Sequence, residues 1–91
     1  MNKFVLCALK ICADFLPCAE IYLFGSFANG TFTRSSDIDI AIDGAREEQI
    51  RQLRCILESS TIPRKVDIVD LNFCGEKLRE IIFREGIKWQ T

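Results

Sequence analysis

Apolar and polar positions change period along the chain, and each period predicts an element. From Asn2 to Leu16 the polar residues Asn2, Lys3, Lys10 and Asp14 fall in a narrow arc at helical spacing, so a helix is expected, stopped by Pro17. Glu20 to Phe24 is a short apolar and aromatic run, expected as a strand. Gly25-Ser26 then turns the chain, Phe27-Ala28 opens a short helical turn, and Asn29-Gly30 ends it. Thr31 to Ser36 is polar and loop-like. Asp37 to Ile42 alternates with period two: Ile38, Ile40 and Ile42 share one face, Asp37, Asp39 and Ala41 the other. Asp43-Gly44 ends that strand. Ala45 to Glu58 is an amphipathic helix with Ile50, Leu53, Ile56 and Leu57 inward. After a loop from Ser59 to Pro63, Arg64 to Leu71 is a further strand. Glu76 to Glu85 is a helix with Leu78, Ile81 and Ile82 inward and Gly86 as its C-cap. Ile87 to Gln90 is expected as a short final strand.

Helices and strands alternate, which implies an α/β fold: a small mixed sheet with helices packed on one face. If those helices cover the isoleucine face, the Asp37/Asp39 face stays open. Ninety-one residues suit a single domain over positions 1–91, with a thin core. The 48% hydrophobic share places the chain outside the disordered range. A net charge of −1 argues against direct nucleic-acid binding, which needs a basic surface, but not against a nucleotide carried with metal ions. Five cysteines with no C-x-x-C pair and no histidine argue against a zinc set, and they are expected as reduced, mostly buried thiols of a cytoplasmic protein. The apolar run Phe4 to Leu9 is too short for a signal peptide, and no stretch is long enough to cross a membrane.

Two carboxylates two apart on a strand point the same way and repel one another. A divalent hard cation removes that repulsion, and magnesium prefers a few carboxylates with phosphate oxygens and water. Asp67 is the best third ligand by parity, since Val66 and Ile68 turn to the helices. An Asp-x-Asp alone is as readily a solvated sheet face, and a lone Gly-Ser is a turn with an N-cap. Together they say more. Glycine after a strand lets phosphate approach the backbone, and serine opening a helical turn offers a hydroxyl and N–H donors.

"GSFANGTFTRSSDIDIAI" resembles the G-S-x10-D-x-D pattern of the polymerase-beta-like nucleotidyltransferases. With "KVDIVDL" and "LREIIFREGIKWQ" it is similar, over almost the whole chain, to their minimal nucleotidyltransferase branch, with a palm-like fold. The resemblance implies ATP as nucleotide donor, with its β- and γ-phosphates on Gly25 and Ser26. It implies two magnesium ions on Asp37, Asp39 and Asp67, the last also helping to deprotonate an acceptor hydroxyl. It also implies a small helical HEPN-domain partner whose tyrosine receives AMP, the chain acting as antitoxin. The family often carries basic side chains where this chain has Phe27 and Asn29. Arg34 or Lys65 are candidate substitutes, though each is more simply a surface charge.

Other residues have plainer readings. Asp43 before Gly44 is expected as a helix N-cap, Asp70 as structural, Ser36 as support for the strand entry, and Trp89 as packing. The first helix is apolar over more of its girdle than one sheet covers, which leaves surface for self-association or a partner. Two other functions compete with transfer to a partner. One is an antitoxin that neutralises by contact without useful catalysis. The other, weaker, is transfer to a small-molecule hydroxyl.

Overall fold

The computed structural model describes residues 2–89. Four helices and four strands follow one another: α1 (Lys3–Phe15), β1 (Glu20–Phe24), α2 (Ser26–Asn29), β2 (Ile38–Asp43), α3 (Glu47–Glu58), β3 (Val66–Asp70), α4 (Glu76–Glu85) and β4 (Ile87–Lys88). The sheet order is β3-β2-β1-β4. β1 runs antiparallel to β2 and β4, while β2 and β3 are parallel and joined through α3. The mixed α/β sheet expected from the sequence is therefore present.

Local chemistry accounts for the boundaries. Asn2 caps α1, its side-chain oxygen accepting the Phe4 N–H at 2.7 Å. α1 buries Val5, Ala8, Leu9 and Cys12, one stripe at helical spacing. Leu6 and Cys7 stay on its outer side, the surface that the sequence left uncovered. α3 starts two residues later than expected. Its N-cap is Arg46, whose N–H donates to the Gln49 side chain at 2.9 Å. Asp43 is thus not the helix cap: it ends β2, and Gly44 with φ of 93° takes the chain away before α3 begins. The last strand is Ile87–Lys88, and Trp89 continues its pairing by donating its N–H to the Ile21 carbonyl at 2.7 Å. Gln90 lies outside the described residues.

The main core lies between the sheet and α1 and α3. Ile38, Ile40 and Ile42 are fully buried there with Leu9, Leu23 and Leu53. Each such side chain contributes about 1.5–3 kcal/mol by leaving water. Val66 and Ile68 join this face as parity required, and Trp89 packs at its margin. Two residues expected inward, Ile56 and Ile81, are 39% exposed, because each lies beside its helix's buried stripe and the narrow sheet does not reach them.

Helices also do not keep to one face. Ala41, Leu71 and Ile82 form a second buried cluster with Tyr22, Phe24, Val69 and Leu78 around it. α4 thus covers part of the face that carries Asp39. The small side chain of Ala41 leaves room for Ile82, and both are fully buried. Cysteine burial differs from expectation as well: Cys12 is buried, Cys74 is half-buried, and Cys7, Cys18 and Cys55 are exposed, all of them unpaired. Among the described residues no helix is long and apolar enough to cross a membrane.

Candidate active site

The site begins where β1 ends. Phe24 is registered opposite Asp39 on β2, so the next residue, Gly25, meets the Asp39 side chain. Gly25 has φ of 73° and ψ of −153°, a conformation open essentially to glycine alone. A Cβ at this position would collide with the Asp39 carboxylate oxygen. The glycine is therefore required twice over, by its backbone angles and by the acid beside it. Its carbonyl accepts the N–H groups of Ala28 and Asn29, both at 3.1 Å, and winds the single turn of α2 from Ser26. Gly30 ends that turn in the left-handed region, and its N–H and that of Thr31 both donate to the Ser26 carbonyl at 3.0 Å.

The acids come from two neighbouring strands. Asp39 and Asp67 are direct partners in the parallel register of β2 and β3. Asp37 stands one residue before β2 begins, and the Ile38 N–H donates to the Lys65 carbonyl at 2.9 Å. All three acids are half-buried. Partial burial first, then the Asp67 and Asp37 carboxylates, raise the Asp39 pKa above the usual aspartate value. Hard oxygen donors grouped in this way suit magnesium, and the space a side chain at Gly25 would fill is taken by the Asp39 carboxylate. Among the described residues no three acidic, cysteine or histidine side chains are already gathered as a metal cage. Asp67 is instead paired with Lys65, Nζ to Oδ1 3.5 Å, the lysine well exposed and the aspartate partly so.

The positions that lack the family's basic residues have other partners. Phe27 stacks on Phe32 with ring centroids 4.7 Å apart and planes 10° apart. The Asn29 side-chain oxygen accepts the Thr31 N–H at 3.1 Å and the Thr31 hydroxyl at 2.6 Å. Of the two candidate substitutes, Lys65 reaches Asp67, while Arg34 is exposed and its carbonyl accepts from Arg64. Sequence reasoning missed Arg64. It reads there as the first residue of a strand, whereas it precedes β3 and donates to carbonyls of the loop that leads into Asp37. The one signal available was a cation three positions ahead of Asp67.

The other acids fall outside the cluster. Asp43 sits at the far end of β2, opposite Glu20. Asp70 accepts the Asn72 N–H at 2.9 Å and shapes the turn after β3, the structural part expected of it. Ser36 is a loop clasp, its hydroxyl accepting the Thr33 N–H at 2.7 Å.

A strand, a glycine-serine turn and paired strand acids on a mixed sheet define a nucleotidyltransferase. The polymerase beta nucleotidyltransferase family matches residues 9–88, and the chain belongs to it. It is 36% identical over 92 residues to the protein adenylyltransferase MntA of Shewanella oneidensis strain MR-1, covering 91% of this chain and 63% of that protein's length. Among solved structures, the crystal structure of a toxin–antitoxin with AMP-PNP superposes with a TM-score of 0.76 at 33% identity, covering all of this chain and 75% of the other. A complex of a tri-AMPylated Shewanella oneidensis HEPN toxin with its MNT antitoxin superposes with a TM-score of 0.60 at 29% identity, covering 97% and 71%.

Proposed function

We propose that the chain is an adenylyltransferase antitoxin that moves AMP from ATP to a tyrosine hydroxyl of a HEPN toxin. The observation that carries this reading is the Asp39 carboxylate, registered with Asp67 and pressed against the side-chain-free Gly25. Support comes also from the relatives, one named a protein adenylyltransferase and another solved beside an AMPylated HEPN toxin.

In this reading Gly25 and Ser26 would seat the β- and γ-phosphates, and Asp37, Asp39 and Asp67 would hold two magnesium ions. Bound magnesium would neutralise charge on the phosphate and on the attacking and leaving oxygens. Asp67 takes the proton of the acceptor hydroxyl, whose oxygen attacks the α-phosphorus in line. An O–P bond forms, the bond to the β-phosphate oxygen breaks, and pyrophosphate leaves. The rigid β2–β3 register holds Asp39 against Asp67, so positioning and charge stabilisation supply the rate.

A second reading is neutralisation by contact alone. It is favoured by Phe27 and Asn29, which carry no charge and are engaged in an aromatic stack and a turn. Incubating the chain with its co-purified partner, ATP and magnesium, then weighing the partner, separates the two. Added AMP that disappears in Asp37→Ala/Asp39→Ala supports transfer. No added mass, with the double variant still neutralising the toxin, refutes it. Pyrophosphate release by the chain alone, without partner, would point to a small-molecule acceptor.

A further inference from the structure

We propose that Arg64 is a positioning residue of this site, one guanidinium that ties the loop delivering Asp37 to the strand delivering Asp67. The proposal rests on the nucleotidyl-transfer reading above. Arg64 Nη1 donates to the carbonyl oxygens of Arg34 and Ser36, each at 3.0 Å, and of Thr33 at 3.3 Å. Three carbonyl oxygens turned toward one point repel each other unless a cation sits among them. The same guanidinium lies 5.2 Å from the centre of the Phe27 ring, within cation–π range. Arg64 therefore touches α2 just after Ser26, the loop that ends at Asp37, and the start of the strand that carries Asp67.

Asp37 needs such a tie more than the other acids do. Asp39 and Asp67 lie inside strands and are held by the ladder. Asp37 precedes β2, so its place depends on the loop behind it. The internal bonds of that loop, Thr33 to Ser36, set its shape but do not anchor it to β3. Arg64, with the Ile38 to Lys65 bond, makes that anchor.

The test uses the full chain with Arg64→Gln and Arg64→Lys, and three readouts: amide exchange of residues 31–37, Mn2+ binding by electron paramagnetic resonance, and urea unfolding. Arg64→Gln is expected to speed exchange in 31–37 while β1 amides keep their protection. Its Mn2+ affinity should fall by about tenfold or more, as when a residue that orients metal ligands is lost. Lysine places three donors on one nitrogen, so Arg64→Lys should bind Mn2+ more tightly than Arg64→Gln but less tightly than wild type. Wild-type Mn2+ affinity in Arg64→Gln, or unchanged loop exchange, overturns the proposal. If Arg64→Gln does not fold, Arg64→Lys decides: weaker Mn2+ binding on an intact fold supports positioning, and wild-type affinity refutes it. A wild-type chain that binds no Mn2+ would overturn the transfer reading itself, an outcome distinct from an Arg64 variant that leaves binding intact.

Discussion

Replacing Gly25 with alanine tests whether the turn is shaped around the acid. Two costs add. The backbone angles, φ 73° and ψ −153°, are strained for any residue with a Cβ, by about 1–3 kcal/mol. The new Cβ also displaces the Asp39 carboxylate from its rotamer, at about 0.5–1.5 kcal/mol. Alanine stiffens the unfolded chain and returns about 0.4–1 kcal/mol. The net destabilisation is about 0.5–4 kcal/mol, centred near 2.3. Gly30→Ala is the control. Gly30 is also left-handed, φ 83° and ψ 9°, but a Cβ there meets nothing within 4 Å. Its net cost is about 0–1.5 kcal/mol.

Urea unfolding, followed by the single tryptophan Trp89, reads the difference. With a slope near 1 kcal/mol per molar for so small a chain, Gly25→Ala should lower the midpoint by about 2 M and Gly30→Ala by about 1 M or less. The decisive arm is the double variant Gly25→Ala/Asp39→Ala. Removing the carboxylate leaves only the Asp39 Cβ, 3.4 Å from the new methyl, so the steric share of the penalty should vanish and the backbone share remain. Equal costs for Gly25→Ala and Gly30→Ala, or a Gly25→Ala penalty untouched by the loss of Asp39, would refute the reasoning.

Three further outcomes are expected. Asp39 has a raised pKa, so the fold holds its proton to higher pH than the unfolded chain does; stability from this group is full in acid and lost as pH rises through the folded value. Asp39→Asn should therefore raise the urea midpoint at neutral pH in a chelator, lose that advantage in acid, and abolish AMP transfer; a destabilised variant at neutral pH would contradict it. Burial pushes the Cys12 thiol up from 9.0 to about 12, so stability should fall above about pH 9 as only the unfolded chain ionises there, at up to about 1.4 kcal/mol per pH unit. Cys12→Ala should flatten that slope, and a thiol reagent should label Cys7, Cys18 and Cys55 quickly but Cys12 only on unfolding. Ile82→Ala empties the second core beside Ala41 and should cost about 2–5 kcal/mol in urea unfolding; a loss below 1 would mean that α4 is not held by this contact.

Local pattern made the sheet legible. The period-two isoleucines located β2, and the parity of Ile68 put Asp67 on the face of Asp39. What stayed hidden depends on meetings through space. Gly25 announces a turn, but nothing in "FGSF" says that Asp39 occupies the space a side chain would need. Arg64 looks like one more charge in "PRKVD", and only the fold turns three carbonyls of a distant loop toward it. Helical period placed Ile56 and Ile81 near the buried stripes of their helices, yet it cannot tell how wide a sheet they will meet. Nor does it say that α4 crosses to the other face, which follows from the turn after β3 and the smallness of Ala41.

The two faces of β2 explain how one short strand serves both fold and chemistry. Asp39 and Asp67 as direct neighbours on adjoining strands are unfavourable, by about 1 kcal/mol at an open surface and more where water is partly excluded. On the reverse face, Ile38, Ile40, Ile42 and Ile68 are buried, and each contributes about 1.5–3 kcal/mol. The apolar face outweighs the acid pair several times over, so the register holds without a cation. The repulsion then shows as a raised Asp39 pKa rather than as a slip of the strands. A slip by one residue would turn every isoleucine to water. The carboxylates keep their places because the buried isoleucines behind them fix the register.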